Sequence, residues 1–311
     1  MDERVTFPAR GLDLGAARRS HAGRWRLPEQ TEPACRLLAR RRITPSLWCG
    51  GLVALALLLA ALAAPLAAPY APDQVLAGPR LAPPSAAHPF GTDVLGRDLL
   101  SRVLHGARIA IRLAALGVGI SSLLGVTLGL LAGYHAGWLD QILSRAMEIW
   151  MAFPGLLLAL IIVARLGPSL ENAIIALGIV GAPSFYRVTR GLTLSARHAP
   201  FVEAARAVGA RSGRIMLRHI LPGLASPLVV LATARSGMLI LAGGGLSFVG
   251  LGAQPPAPEW GALLAAGRDA METAPWLAIY PGLCITLTVA GLNLLGDGLR
   301  DLLDPRQCRE R

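Results

Sequence analysis

The chain has 311 residues, 53% hydrophobic and only 16% charged, with a formal net charge of +11 at pH 7. So little charge at this length, together with a mean hydropathy of +0.52, excludes an ordinary soluble domain. All 30 basic side chains are arginine, so the lysine of a nucleotide-binding phosphate loop and the amine of a Schiff-base enzyme are both missing. If ATP drives this protein, another chain hydrolyses it.

Residues 1–46 carry ten arginines and five acids, interrupted by Pro28, Pro33 and Pro45. That composition predicts a largely disordered tail. The first apolar block, 47–68, lies too deep and runs too long for a cleaved signal peptide, so it is expected to remain as a first span. After a loop to about 108, further apolar blocks at 110–133, 142–164, 170–186, 224–249 and 276–296 each approach the length that crosses a hydrocarbon core. Six spans place both termini on one side. The tail, the 187–222 loop and the C-terminus hold ten, seven and four arginines, 21 of the 30, so this side is expected to be the cytoplasm. The opposite 250–275 loop sets Glu259, Asp269 and Glu272 against Arg268.

Within the second span, Gly117, Ser121, Gly125, Gly129 and Gly133 recur every four residues and predict a ridge of small side chains for close helix contact. Arg112 sits near a span end, from which its head group snorkels. Arg145 and Glu148, three apart, are placed to pair along one face of the third span. Arg235 differs, because it falls near the middle of the fifth span beside Thr233 and Ser236. It needs a watery cavity or a buried carboxylate. Two readings stay open: a residue facing a transport path and favouring anionic groups, or a fixed internal ion pair. His105, His135, His198 and His219 fall in loops or at span ends and assemble no catalytic constellation. Cys35, Cys49, Cys284 and Cys308 are scattered without metal-ligand spacing, so no disulfide or metal role is expected.

The polar segment 203–222 between the fourth and fifth spans reads as two short helices about a glycine. Pro200 suits a first helical turn. Phe201, Val202, Ala205 and Val208 form a short apolar stripe, and Gly209 ends the helix with a positive φ. Ser212 is expected to cap a second helix running to Leu221, with Pro222 opening span five. Ala204 and Ala205 keep one face shallow enough for a partner to seat over it, ringed by Arg206, Arg211, Arg214 and Arg218.

Glu203-Ala204-Ala205, Gly209 and Leu221-Pro222 resemble the EAA signature of the membrane subunits of ATP-binding-cassette importers. His88-Pro-Phe-Gly-Thr-Asp93 with Gly96-Arg97-Asp98 and Ser101-Arg102 resembles the segment before span two in C-type permeases of dipeptide, oligopeptide and nickel importers. Phe153-Pro154-Gly155, Leu246-Ser247-Phe248-Val249-Gly250-Leu251-Gly252, Glu259-Trp260-Gly261 and the ending Asn293 to Asp301 with Asp304-Pro305 are similar too. The resemblance covers about 47–306. The chain departs from the pattern at His219, where the strict signature has isoleucine, at Gly223, where this subclass often has asparagine, and at Glu148, where aspartate is common.

The resemblance implies an all-α membrane protein of about six transmembrane helices with a cytoplasmic coupling helix between spans four and five. It divides the chain into a tail (1–46), a first span with an extracytoplasmic loop (47–108), a transmembrane domain with its coupling loop at 187–222 (109–306) and a short C-terminal tail (307–311). It implies ATPase coupling through Glu203, Ala204, Ala205, Gly209, Leu221 and Pro222, and leaves Arg235 as the candidate on the translocation path. The implied partners are a second homologous permease, two cytoplasmic ATPase subunits or domains, an extracytoplasmic solute-binding protein and membrane lipid. No cofactor and no nucleic acid are implied. The expected site is a bacterial inner membrane and the expected cargo a di- or oligopeptide. One alternative cargo is nickel or a metal chelate, which Arg235 disfavours because like charges repel in a low dielectric. An alternative of another class is a self-contained channel or secondary transporter, which predicts broken helices around an internal site and no ATPase.

Overall fold

A computed structural model describes residues 44–303. The tail predicted for residues 1–46 therefore lies outside the described residues except for its last three, as do Cys35, Cys308, Asp304-Pro305 and the 307–311 segment. In chain order the helices are α1 (Pro45–Ala67), α2 (Leu99–His135), α3 (Gly137–Ala152), α4 (Gly155–Leu166), α5 (Leu170–Ala196), α6 (Pro200–Ala207), α7 (Ser212–Phe248), α8 (Trp260–Arg268) and α9 (Trp276–Leu303). Among the described residues there is no strand, only an isolated bridge between Thr92 and Asp98.

Helices α1, α2, α7 and α9 are long and apolar enough to cross a membrane. The segment predicted as a third straight span is broken: α3 and α4 meet at 90°. Pro154 explains the break, because it cannot donate to the helical ladder and holds Phe153 in an extended conformation (φ −90°, ψ 138°). The pair makes one crossing if taken together. The predicted fourth span corresponds to α5, which carries Arg187 and Arg190 within its 27 residues instead of leaving them in a loop. It is not among the described helices long and apolar enough to cross a membrane, so four such helices, or five with the bent pair, stand where six spans are expected. Helix α5 carries these arginines because Arg187 is exposed and Arg190 pairs with Asp140 of α3, while Ala182, Phe185, Tyr186, Thr189 and Thr193 on the same helix are buried.

The predicted small-residue ridge is what α5 packs against. Ser121 donates to Gly178 O at 2.7 Å. A methyl group added at Gly129 would stand 2.8 Å from both Thr189 Cβ and Tyr186 O, and one at Gly133 would stand 2.7 Å from Thr193 Cβ. The same ridge meets Leu239 of α7 at Gly117. In lipid, where apolar side chains gain nothing by leaving their solvent, helix association draws on close packing and interhelical hydrogen bonds, both of which such backbone approach permits.

One end of the bundle is built from the close of α1, the start of α2, α8 and the start of α9, with Ala61, Leu99, Trp260 and Leu277 in one cluster. The 68–98 segment is pinned over it by a buried polar network. Asp98 caps α2 through Ser101 N (2.8 Å) and accepts from the Ser101 hydroxyl (2.7 Å), and its other oxygen lies 2.9 Å from His88 Nδ1. Asp93 pairs with Arg97 at 2.7 Å, and Phe90 stacks on Tyr280 at 4.0 Å. The opposite end joins the close of α2 to α6 and the start of α7.

Candidate functional site

Helix α6 starts with Pro200 at its first turn, as its sequence predicts, and ends in a two-bond cap. Gly209 takes φ +79°; its N–H donates to Arg206 O (2.9 Å), and Ala210 N–H reaches Ala205 O (3.0 Å). That pair of bonds satisfies the last carbonyls and requires the left-handed region that glycine enters without penalty. Eight residues are too few to hold a helix alone. Packing holds this one: Val202 and Ala205 are buried against Leu130 and Tyr134 of α2 and Ile215, Met216 and Ile220 of α7.

The predicted apolar stripe is therefore split. Val202 and Ala205 face inward, whereas Phe201 and Val208 are 51% and 85% exposed. The expectation that Ala204 and Ala205 together form the open face holds only for Ala204. Ala205 is 8% exposed and belongs to the seat. Glu203 and Ala204 lie outside. Ser212 does not cap the second helix. It is its first residue, after Arg211, and no side chain supplies the cap bond.

That second helix continues into span five without a break. Ile215–Ile220 forms a π turn, and Leu221 N–H donates to Met216 O, five residues back. Pro222 gives the reason: its missing N–H would leave Arg218 O without a donor and its ring would crowd that carbonyl, so the helix widens by one residue. Leu221 is half-buried and Pro222 exposed. Between α6 and the π turn opens a groove of about 520 Å³ lined by Ala205, Val208, Gly209, Ala210, Arg214, Arg218 and His219. Arg211, Arg214 and Arg218 are exposed and, among the described residues, make no ion pair.

Arg235 stands apart, 14 residues beyond Leu221, which is about 20 Å along the helix axis. It donates to the hydroxyl of Ser184 on α5 and is half-buried. Among the described residues no carboxylate pairs with it, so the internal ion-pair alternative has no partner there. Arg112 pairs with Glu171 at 3.2 Å, and Arg145 with Glu148 at 2.9 Å as their spacing predicts; both pairs are exposed. Cys49 and Cys284 are free thiols.

Two features escaped the sequence reading. Asp140 and Arg190 pair α3 with α5, a contact between residues 50 positions apart that no local pattern announces. Glu259 is 6% exposed and caps α8, a helix within what reads as a loop. Its carboxylate accepts from Ala262 N at 2.9 Å. Burial pushes the Glu259 carboxyl above the usual range, against the hydrogen bonds from Ala262 and Gly261 N–H and the Ser247 hydroxyl. A carboxyl raised in the folded state contributes stability that is full below its unfolded pKa and is lost as pH rises through the folded one. Glu259→Gln stays neutral throughout. It is expected to raise the melting temperature of the detergent-solubilised protein by a few degrees near about pH 7 and to leave it unchanged near about pH 4.

Residues 125–308 match the family described as "Binding-protein-dependent transport system inner membrane component". The dipeptide transport system permease protein DppC of Alkalihalophilus pseudofirmus is 48% identical over 227 residues, 73% of this chain and 75% of that protein. The glutathione transport system permease protein GsiD of Pectobacterium atrosepticum is 49% identical over 223 residues, 72% of this chain and 74% of that protein. Its namesake from Escherichia coli is 48% identical over the same length, with the same shares of both chains.

Proposed function

Because the chain belongs to the family of binding-protein-dependent inner-membrane transport components, we propose that it forms half of a pathway for short peptides and takes its motion from an ATPase seated on α6. It is a non-catalytic, multi-pass permease subunit of an ATP-binding-cassette importer and works with ATPase and binding-protein partners. The self-contained transporter is thereby set aside. In the proposed assembly a second, similar permease completes the pathway. Two ATPase domains lie on the cytoplasmic face with both termini of this chain, and a binding protein delivers cargo from outside. The names of the relatives, dipeptide and glutathione permeases, support a small peptide as cargo.

One feature carries this reading: α6 buries Val202 and Ala205 in its own bundle and turns Glu203 and Ala204 outward beside a rim of arginines that make no ion pair among the described residues. A helix seated in this way transmits a push instead of folding under it. Gly209 and the Leu221-Pro222 junction fix the angle at which α6 meets span five, so closure of the ATPases tilts α7 and switches the pathway between inward- and outward-facing states. Co-purification tests the assembly: the full-length chain brings down an ATPase, whereas solute movement by the purified chain alone contradicts it.

Arg235 serves the cargo in this reading. Its guanidinium, bonded to Ser184 and without a carboxylate partner among the described residues, favours a peptide's terminal carboxylate and repels a bare divalent cation. Arg235→Ala in the assembled importer is expected to lower dipeptide uptake about 10- to 100-fold, the loss of one charge-assisted hydrogen bond. Arg235→Lys should retain part of it. Unchanged uptake by the alanine variant removes the residue from the path.

A further inference from the structure

We propose that Tyr134 and Arg206, with Asp140 and Arg190, are positioning residues that make the α2–α3 corner a relay between α6 and the membrane bundle. This rests on the reading of α6 as the seat of the ATPase. The Arg206 guanidinium lies over the Tyr134 ring, 5.2 Å from its centre, with Nε 3.4 Å from the phenol oxygen. Tyr134 is itself 9% exposed and packs in the cluster that seats Val202 and Ala205. It is therefore the hook by which the end of α2 holds α6.

Two residues later the chain reverses at Ala136, which has φ 53° and ψ −157°. That region is open to glycine and costly for any other residue. Gly137 follows at φ +65°, and no side chain caps the start of α3. A strained turn of this kind persists only where its surroundings hold it. Here it is braced on both sides. Behind it stands the Tyr134–Arg206 contact. Ahead of it, Arg190 on α5 donates twice to Asp140 on α3, at 2.5 and 2.7 Å, and Ser144 Oγ meets Tyr186 OH at 2.9 Å.

The contacts close a ring. Helix α5 runs to Ala196 and leads directly into α6, α6 holds α2, the corner joins α2 to α3, and α3 is bolted back to α5. A displacement of α6 is thus delivered to α3 and α5 together. A second route runs into α7 through the π turn Ile215–Ile220, against which Val202 and Ala205 pack. The strained alanine sits at the corner of the ring.

The test uses the complete importer in liposomes and reads peptide transported per ATP hydrolysed. Asp140→Asn lies on α3, outside the cluster that seats α6, and is expected to leave ATPase association and basal hydrolysis unchanged while the transport ratio falls about fivefold or more, the lower end of coupling between sites. Tyr134→Leu should lower the ratio at least as much. Arg206→Gln should lower the ratio similarly, without adding to the effect of Tyr134→Leu, and Arg206→Lys should restore it because lysine also places a cation over the ring. Ala136→Gly relaxes the corner without removing a contact. It should keep or raise the melting temperature and still lower the ratio. An unchanged ratio in Asp140→Asn and Ala136→Gly, with the ATPase bound, overturns the relay and leaves the seat on α6 intact. Failure of the unaltered chain to bind an ATPase overturns the seat itself, and the relay with it.

Discussion

A leucine at Gly129 is expected to remove the folded protein from membrane extracts. The added Cβ alone would stand 2.8 Å from Tyr186 O and from Thr189 Cβ, and the first of these is backbone that no rotamer change can clear. Helices α2 and α5 would have to separate along a ridge that also carries Ser121, Gly125 and Gly133. Ordinary overpacking costs about 1–3 kcal/mol. Here the displaced contact is the one that holds the bundle together, so the cost is set against a total stability of only about 5–15 kcal/mol. Gly119 on the same helix is the control: it is exposed, and a Cβ there meets nothing within 4 Å. Gly119→Leu should be neutral or slightly stabilising, since leucine exceeds glycine in helix propensity by somewhat under about 1 kcal/mol. Fluorescence-detected size exclusion of tagged variants separates the two outcomes. A monodisperse Gly129→Leu protein at normal yield contradicts the packing.

The second large effect is expected on coupling instead of folding. Gly209→Val places a β-branched residue at φ +79°, where the space around the new Cβ is empty, so the penalty is confined to the backbone. That conformation costs an L-residue roughly 1–2 kcal/mol and a branched one more. The cheapest escape is to rotate the turn, which loses the Gly209–Arg206 and Ala210–Ala205 bonds and tilts α6 on its seat. The bundle should still fold and the ATPases still hydrolyse, while peptide uptake falls at least about tenfold, a change worth roughly 1.4 kcal/mol. Uptake and hydrolysis measured on the same liposomes check it, and parallel loss or retention of both contradicts it. A charge at Ala205 is the less informative substitution. It would be buried beside Val202 and Tyr134 and would unseat the helix outright.

The sequence was most legible where chemistry is local. Regular spacing exposed the Gly117–Gly133 ridge, and Gly209 announced its positive φ because few residues tolerate one. The apolar blocks at 47–68, 110–133, 224–249 and 276–296 each fall largely within a long helix. Legibility failed where tertiary contact overrides composition. Arg187 and Arg190 looked like the end of a span, but Arg190 has a carboxylate waiting on α3, so the helix runs on to Ala196. Ala205 looked like docking surface because alanine is small. It is 8% exposed and packs in one cluster with Val202 and Tyr134. The right angle at Phe153-Pro154 was legible as a proline but not as a bend, since proline within α5, α7 and α9 leaves those helices continuous.

The claim on which the rest depends is that α6 is the cytoplasmic seat of an ATPase. Cysteine cross-linking from Ala204, exposed on the outer face of α6, tests it most directly in a variant whose four native cysteines are replaced. The account predicts that Ala204→Cys in intact cells resists a membrane-impermeant thiol reagent, and that in inverted vesicles it cross-links to an ATPase subunit in a yield that changes when ATP is added. Labelling of Ala204→Cys from outside the cell, or a fully accessible thiol in inverted vesicles that captures no ATPase, would contradict it.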